Sequence, residues 1–329
     1  MLAGKYSEIV TLGLVMVLVA FILTLFIGPR FLGMGNLQSM AFQLPELGIL
    51  SLAMMITMLT GGINLSIIAS ANLTGIVTAM ILIRYVDPEA MGPGSWVIIL
   101  LAVLVGLAIS AAIGLLNGGL IAWAGVSPIL ATLGTMILLK GLAIVLTKGY
   151  VLSGLPSPIL FIGNGTIAGI PVPMILFALC ALAMGVILNR TPLGIRVYMI
   201  GSNATACFFS GVNNANVLLK TYLISGIYSG LAALVMIARF NSAKADYGES
   251  YLLLTVLASV LGGTSAAGGF GRVSGLVLAL IILQMVASGL NLLRVSAFLT
   301  IAMWGAILIL VMVANDLVAR YRQRRLLAR

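Results

Sequence analysis

Apolar runs long enough to cross a lipid bilayer dominate the sequence and constrain its fold more than any other feature. A transmembrane helix needs about 20 predominantly apolar residues. Only 7% of the residues are charged and 62% are hydrophobic, whereas charged residues make up about a quarter of a soluble domain. The pattern predicts an all-α, polytopic membrane protein with a single transmembrane domain over residues 1–329 and about ten helices. The predicted spans are 8–27, 44–59, 65–83, 96–123, 129–146, 173–188, 217–238, 250–261, 273–290 and 297–314.

The distribution of charge predicts how these spans are oriented. Segment 189–213 contains Arg190 and Arg196 and no acidic residue, and the tail 315–329 contains five arginines. Because basic loops tend to remain on the cytoplasmic side, we expect the segment, the tail and both termini in the cytoplasm. The opposite side then receives the acidic loop residues together with four basic residues that fit the rule poorly. These are Asp87, Glu89, Asp246 and Glu249, and Arg30, Arg84, Arg239 and Lys244.

Segment 189–213 is the longest polar interruption between two strongly apolar runs. Pro192 and Gly194 are expected to break the preceding helix, because both residues are unfavourable inside helices. Residues 195–208 then form a short helix of mixed polarity on the cytoplasmic side. Such a helix is either a binding surface for a soluble partner or part of an ordinary interhelical loop. The residues alone do not decide between these two interpretations.

The positions of the charged residues bear on the energy source of transport. Every acidic residue lies at or beyond the end of a predicted span, and Glu46 follows Pro45, which suits the first turn of the second span. Carriers driven by protons or sodium ions commonly bury carboxylates near the middle of the bilayer. We therefore expect a chain that does not use an ion gradient. Lys140 lies inside an apolar run, and it either extends to the membrane surface, which we favour, or pairs within the bundle.

Several kinds of chemistry are excluded by what the sequence lacks. It has no histidine, and its two cysteines, Cys180 and Cys207, have no CxxC partner and are expected to be free. The phosphate-binding motif Gly-x-x-x-x-Gly-Lys-Ser/Thr is absent, since Gly4-Lys5 is followed by Tyr6. We expect no catalytic residue, no metal site and no cofactor bound by this chain.

Uncharged polar residues at the predicted helix breaks form a candidate pathway for a solute. Non-helical backbone is tolerated at membrane depth only inside protein or beside a wet cavity. Uncharged donors and acceptors in such a place suit a neutral, hydroxyl-rich solute better than an ion. For each residue alone, capping or packing of a helix is the alternative interpretation. The candidates are Asn64, Ser66, Asn117, Ser127 and Thr264.

Three small-xxx-small patterns also stand out. Such patterns let helix backbones approach closely in a membrane. We expect them to pack helices within one subunit. They are Gly114-xxx-Gly118, Gly226-xxx-Gly230 and Gly271-xxx-Gly275.

Four groups of glycine-rich and polar motifs follow one another along nearly the whole chain. They are Gly61-Gly62-Ile63-Asn64-Leu65-Ser66; Gly114-Leu115-Leu116-Asn117-Gly118 with Val126-Ser127-Pro128 and Thr132-Leu133-Gly134-Thr135; Thr191-Pro192-Leu193-Gly194 with Ile200-Gly201-Ser202-Asn203-Ala204-Thr205-Ala206 and Ser210-Gly211-Val212; and Leu261-Gly262-Gly263-Thr264-Ser265 with Gly268-Gly269-Phe270-Gly271. In order and spacing they resemble the permease subunits of bacterial ATP-driven sugar importers of the ribose type. Asn64 stands where that family usually has aspartate, and Ile67-Ile68 stands in place of a Val-Gly pair, which suggests a divergent member.

The resemblance implies a transport subunit rather than an enzyme, located as a multi-pass protein in the bacterial inner membrane. It implies a dimer with a second copy or a homologous permease, and a periplasmic or lipid-anchored solute-binding protein. It also implies cytoplasmic ATPase subunits that bind ATP and magnesium, whose closure is relayed through residues 191–211. The coupling role is carried over to Pro192 and Gly194, which shape the segment, and to Thr191, Asn203 and Ala204, which meet the ATPase.

The implied cargo is a monosaccharide or a similar polyhydroxylated solute. A furanosyl signalling molecule, a nucleoside or a branched-chain amino acid carried by the same machinery is the nearest alternative. A secondary carrier or channel that works without ATP is the second alternative. Nucleic acid is not an expected partner, because the basic residues are scattered over loops and a tail.

Overall fold

The computed structural model describes residues 2–87 and 92–327, which form a bundle of helices with very short strands between them. Two residues of the predicted charge pattern, Glu89 and Arg329, lie outside the described residues. The helices are α1 (Leu2–Ile27), α2 (Met34–Leu59), α3 (Ile67–Tyr85), α4 (Pro93–Ala122), α5 (Pro128–Thr147), α6 (Ser157–Asn164), α7 (Val172–Arg190), α8 (Pro192–Phe209), α9 (Asn214–Phe240), α10 (Tyr251–Leu261), α11 (Val273–Leu292) and α12 (Ala297–Leu327).

Eight helices of the described part are long and apolar enough to cross a membrane, namely α1 to α5, α7, α9 and α11. Two further apolar helices are shorter, namely α10 and the Phe298–Val313 stretch of α12. These helices coincide with the predicted spans, so the all-α, polytopic class is confirmed. The number of helices that cross the membrane and the cytoplasmic position of both termini remain predictions.

α2 lies in the centre of the bundle. Every residue from Leu44 to Leu59 is buried, so this helix is surrounded by protein over its second half. The helix begins at Met34 rather than near residue 44. Pro45 therefore lies inside the helix, and its expected position in the first turn is wrong.

The apolar pattern of the sequence did not predict the first turns of α2, before residue 44, because these turns contain polar residues. Two of their polar side chains, Asn36 and Gln43, pair with α11. The hydroxyl of Ser288 donates to Oδ1 of Asn36 at 2.7 Å, and Nε2 of Gln284 donates to Oε1 of Gln43 at 3.2 Å. Polar side chains that satisfy one another in this way are compatible with a helix that a hydropathy pattern alone does not reveal.

α4 and α9 approach each other closely through glycines on both helices. A side chain at Gly114 would strike the α9 backbone at Tyr222, and one at Gly226 would strike the α4 backbone at Ser110. Gly275, from the third glycine pattern, lies in the same way against the backbone that follows α10. The prediction that these patterns pack helices within one subunit is confirmed for the first two, whereas in the third Gly271 precedes α11 and Gly275 packs that helix against the turn after α10.

The two ends of the bundle are built differently. The α8 end contains α8, the break between α2 and α3 at residues 60–66, and the turn between α10 and α11 at residues 262–272. The opposite end contains the connections 148–171 and 241–250.

Residues 147–172, between the predicted spans 129–146 and 173–188, are not a simple loop. This stretch contains α6 and the strands β1 (Leu152–Ser153), β2 (Thr166–Ile167) and β3 (Ile170–Pro171). β2 pairs antiparallel with β3, and β1 pairs antiparallel with β4 (Ser242–Ala243). The β1–β4 pair joins the two long connections at the opposite end.

Candidate functional site

A single residue separates α7 from α8. The hydroxyl of Thr191 accepts a hydrogen bond from the amide of Gly194 at 3.4 Å and donates to the carbonyl of Ile187 at 2.6 Å. Pro192 takes the first helical position, where its missing amide hydrogen costs no helical bond. The break between the helices is therefore shorter than predicted, and Gly194 lies inside α8 rather than between helices.

Gly194 lets the start of α8 lie directly against the end of α7. A Cβ atom at this position would collide with the carbonyl oxygens of Leu188 and Ile187. Any larger residue must therefore move the first turn of α8 away from α7. The structure gives Gly194 a geometric role here, and its part in coupling stays a prediction.

Asn203 interrupts α8 and starts its final segment. Its backbone is extended, with φ −163° and ψ 96°, so the helical hydrogen bonding is broken there. Its side-chain oxygen accepts a hydrogen bond from the amide of Ala206 at 2.9 Å, which is the geometry of a helix cap. The carbonyl of Ala204 accepts from the side chain of Asn214 at 2.8 Å. Asn203 and Ala204 are both exposed and both held in place, as a docking surface requires.

α8 meets the bundle at a glycine junction, which we define as Gly61, Gly201, Gly268 and Gly269. The amide of Gly269 donates to the carbonyl of Leu59, the last residue of α2, at 2.9 Å. Gly201 lies against the same carbonyl and the same amide so closely that a Cβ atom would overlap both. The other three junction glycines have φ between +80° and +92°, a region that favours glycine. The end of α2, the 262–272 turn and α8 therefore touch backbone to backbone.

Tyr198 strengthens the same contact. Its hydroxyl donates to the carbonyl of Gly271 at 2.9 Å. Burial raises the pKa of Tyr198, and the nearby charge of Arg272 opposes that shift. The hydroxyl therefore remains a proton donor at neutral pH. The sequence prediction gave no role to Tyr198 or Gly201, although the paired glycines of the late motif were an available signal.

Three large apolar side chains of α8 are exposed, namely Ile195, Phe208 and Phe209, and the two phenylalanines form an exposed apolar patch. These side chains are 61%, 68% and 82% exposed. The two phenylalanine rings meet edge to face, with centroids 5.8 Å apart. Contiguous exposed apolar groups commonly mark interaction sites. The sequence prediction missed this patch because an apolar pair in a short helix is expected to pack inward.

A basic groove lies between the start of α8 and the start of α9. Its volume is about 270 Å³, and it is lined by Arg196 and Lys220 among neutral residues. Both cationic side chains are exposed. The neutral lining residues are Thr191, Pro192, Leu193, Asn213, Asn216 and Val217. A partner with acidic side chains would complement this groove.

Three of the candidate pathway residues are joined in a buried polar network at the break between α2 and α3. Nδ2 of Asn64 donates to the hydroxyl of Ser225 at 3.0 Å, and the hydroxyl of Ser66 donates to Oδ1 of Asn64 at 2.8 Å. Nδ2 of Asn117 donates to Ser66 and the hydroxyl of Thr135 donates to Oδ1 of Asn117, each at 2.8 Å. Each of the three predicted residues exposes no more than 2% of its surface. The network ties the break to α4, α5 and α9.

The other two pathway candidates lie apart from this network. Ser127 is exposed, and its hydroxyl caps α5 by accepting from the amide of Leu130 at 3.5 Å. Thr264 is buried in the 262–272 turn, where its side chain packs beside Gly271. The structure therefore brings three of the five candidates together, and contact of any of them with a solute stays a prediction.

Glu46 corrects the prediction that every acidic residue lies at or beyond a span end. Its side chain is fully buried inside α2, and Oε1 lies 2.9 Å from Nη1 of Arg239 near the end of α9. The hydroxyl of Tyr251 donates to Oε2 at 3.4 Å. A buried carboxylate is tolerated when a cation and further donors compensate it. Because its charge is already paired, Glu46 does not resemble the free acid of an ion-driven carrier.

Lys140 shows features of both roles considered for it, since its side chain is exposed and is also paired. Its ammonium group forms an ion pair with Glu249, in the 241–250 connection. Both side chains are about half exposed, at 46% and 52%. The pair joins α5 to the opposite end of the bundle.

A bundle of long apolar helices around a fully buried central helix is the construction of a polytopic membrane protein. The sequence profile of the family described as branched-chain amino acid transport system / permease component matches residues 36–314, and the chain belongs to this family. It is therefore a multi-pass transport component of the inner membrane rather than an enzyme. As a permease component it works with an ATPase and a solute-binding protein.

Curated relatives cover most of the chain. The ribose import permease protein RbsC of Bacillus subtilis is 35% identical over 286 residues, which is 86% of this chain and 85% of the relative. The autoinducer 2 import system permease protein LsrD of Yersinia enterocolitica is 33% identical over 277 residues, which is 82% of this chain and 80% of the relative. LsrD of Yersinia pseudotuberculosis is similar to the same extent. No solved structure matches the chain significantly.

Proposed function

We propose that this chain is the permease subunit of an ATP-driven importer. It receives a monosaccharide or similar polyhydroxylated solute from a binding protein and passes it to the cytoplasm. ATP and magnesium are bound by a separate ATPase subunit. The observation that carries the proposal is α8, a capped helix with an exposed apolar patch whose other face touches the end of the central helix.

The partner proposed for the patch and the basic groove is the ATPase. Thr191, Pro192 and Gly194 fix the position at which α8 leaves α7, while Asn203 and Ala204 present the second segment of α8. Closure of the ATPase then displaces α8, and the backbone contacts of the glycine junction pass the displacement to α2. Phenylalanine anchors with a basic rim suit a partner groove that combines apolar and acidic surface.

The proposed cargo rests on chemistry and on the names of the relatives. The candidate pathway residues are uncharged donors and acceptors, which suit hydroxyl groups. RbsC is named for ribose import and LsrD for autoinducer 2 import, so a signalling molecule is the nearest alternative cargo. A nucleoside or a branched-chain amino acid remains a further alternative, the latter because of the description of the matching family.

The proposed assembly contains a second permease, either another copy or a homologue, with the solute path between the two chains. Asn64 replaces the family's usual aspartate, which suggests that this chain is a divergent subunit. A divergent subunit is more consistent with a pair of two different permeases than with a pair of identical copies. In this arrangement the polar network of Asn64, Ser66 and Asn117 holds the wall of the path. Ser127 and Thr264 lie apart from this network, and they are proposed to contact the solute nearer the α8 end.

A carrier that works without ATP is the rival function. It needs a titratable group that the transported ion can reach. Glu46, within α2, is a buried acidic residue. One of its carboxylate oxygens is paired with Arg239, and the other accepts a hydrogen bond from Tyr251. This pairing favours the ATP-driven importer.

The proposed function is tested by purification of the chain with the ATPase encoded beside it, followed by assays of ATP turnover. A binding protein loaded with different sugars is added to the complex in lipid. We expect turnover to rise with one class of loaded sugar, which identifies the cargo. Solute flux through the chain alone, without an ATPase partner, would contradict the proposal.

A further inference from the structure

α2 connects the glycine junction to the buried ion pair. At the α8 end, the carbonyl of Leu59 is bonded to Gly269 and packed against Gly201. From Glu46 to Leu59 the helix is continuous and every residue is buried. At 1.5 Å per residue this stretch is about 20 Å long. Close packing on all sides leaves little room to absorb a displacement of its end.

The far end of this stretch is clamped to two other helices. Glu46 is bonded to Arg239, near the end of α9, at 2.9 Å. The hydroxyl of Tyr251, the first residue of α10, donates to the other carboxylate oxygen at 3.4 Å. We name Glu46, Arg239 and Tyr251 the carboxylate clamp. α10 runs beside α2 from this clamp to the 262–272 turn, so both helices join the same two regions.

The segment that the clamp holds enters the bundle from the opposite end. α10 has 11 residues, whereas a helix needs about 20 to cross a membrane. The connection before it reaches inward to Asn72 of α3, whose side-chain amide donates to the carbonyls of Ala245 and Tyr247 at 3.0 and 2.9 Å. Irregular backbone at such a depth occurs only where protein or a water-filled path surrounds it. Contacts with Asn72 hold this connection deep in the bundle, where a shift of its clamped end next to α10 would change a solute path at the opposite end.

We propose that the carboxylate clamp is a positioning device for transport, through which a displacement of α8 reaches segment 241–251. This inference rests on the proposed function. Leu59 is moved through the glycine junction, α2 carries the movement over its buried length, and Glu46 passes it to Arg239 and Tyr251. The segment before α10 then shifts with the clamp and changes the wall of the path.

A buried ion pair suits this task better than apolar packing. Its hydrogen bonds have fixed directions, so a shift of Glu46 along the α2 axis pulls on particular atoms of α9 and α10. Removal of one partner leaves a buried charge unpaired, whereas removal of both charges avoids that penalty. An experiment can therefore distinguish an effect of the clamp on the position of segment 241–251 from an effect on the stability of the fold.

The test uses the complex of the chain with its ATPase and loaded binding protein, reconstituted in lipid. The double variant Glu46→Gln/Arg239→Gln removes both charges and keeps the length of the carboxylate side chain. We expect it to insert, to melt near the wild-type temperature and to keep basal ATP turnover. Stimulation of turnover by the loaded binding protein should fall at least about fivefold, the scale of a typical coupling between distant sites. A change in stimulation without a change in melting distinguishes positioning from stability.

The matched control removes another ion pair from the same segment. Lys244 and Asp246 lie 2.9 Å apart, are 39% and 46% exposed, and touch neither α2 nor α10 through this pair. The variant Lys244→Gln/Asp246→Asn should keep wild-type stimulation, because exposed pairs contribute little. Equal loss in both double variants would overturn the proposal, since any charge change in the segment would then act alike.

The outcomes separate this inference from the proposed function. If the wild-type complex shows no stimulation at all, the proposed function fails. If the wild type is stimulated and the Glu46→Gln/Arg239→Gln variant is stimulated equally, the clamp proposal fails alone. Should the double variant not insert, Arg239→Lys decides instead, because lysine keeps the charge but loses the planar fork. Reduced stimulation of that variant supports the clamp, and wild-type stimulation overturns it.

Discussion

Leu59 and Gly269 are joined by a backbone hydrogen bond of 2.9 Å, which brings the end of the central helix α2 onto the turn between α10 and α11. Gly201 of α8 packs against both groups of this bond. A helix that faces the cytoplasm in the predicted topology thus touches the most deeply buried helix of the bundle without an intervening side chain. Close backbone contact makes the junction stiff, which suits the transfer of movement.

The first prediction concerns this junction. Gly201→Ala adds a Cβ atom where the Leu59 carbonyl and the Gly269 amide already lie, and the strain should cost about 1–3 kcal/mol. We expect a lower melting temperature and a loss of solute uptake. Gly185→Ala in α7 is the control, because nothing lies within 4 Å of its added Cβ. Equal behaviour of the two variants would show that the junction is loose.

The second prediction concerns the start of α8. Gly194→Leu must push the first turn away from the carbonyls of Leu188 and Ile187. We expect the protein to insert and its ATPase partner to hydrolyse ATP, while solute uptake is lost. Uptake and ATP turnover are measured on the same proteoliposomes. Normal uptake with normal turnover would remove Gly194 from the coupling assignment.

The third prediction concerns the exposed apolar patch. Phe208→Ala/Phe209→Ala removes two exposed rings, so the melting temperature of the chain alone should hardly change. If these rings are anchors for the ATPase, each contributes on the order of 2 kcal/mol to binding, and co-purification of the ATPase should be lost. Phe161→Ala is the control, because that ring is 51% exposed at the opposite end. Full retention of the ATPase by the double variant would place its docking surface elsewhere.

The fourth prediction separates the buried network from the exposed cap. Asn64→Ala leaves Ser225 and Ser66 without their buried partner, and we expect a destabilisation of about 2–3 kcal/mol. Ser127→Ala removes one long, exposed capping bond and should cost about 0.5 kcal/mol. Thermal unfolding of both variants in detergent measures the difference. Similar melting temperatures would mean that the network does not hold the break between α2 and α3.

The apolar runs predicted most of the helices because a bilayer demands long apolar segments and the sequence supplies them. The prediction was incomplete where polar side chains satisfy one another inside the bundle. The first turns of α2 look like a loop until Asn36 and Gln43 are seen beside Ser288 and Gln284 of α11. A partner so distant in the sequence has no local signature.

The same reason explains why the carboxylate clamp was missed. Glu46 follows Pro45, which suits a helix start, and Arg239 fitted the charge rule poorly. Only the fold brings the two together across 193 positions of sequence. The motifs around Thr191 and Asn203 were recognisable because caps and glycines act on their immediate neighbours. The glycine junction required three separate segments to meet, which no single motif records.

Uptake of a labelled sugar into proteoliposomes tests the central claim most directly. The vesicles contain this chain, its partner permease if one exists, and the ATPase, with ATP supplied on the ATPase side and binding protein on the other. The account predicts uptake that requires ATP, the ATPase and the loaded binding protein together, and that is lost in Gly194→Leu. Uptake by this chain without ATP or an ATPase would contradict it and would identify a carrier or channel instead.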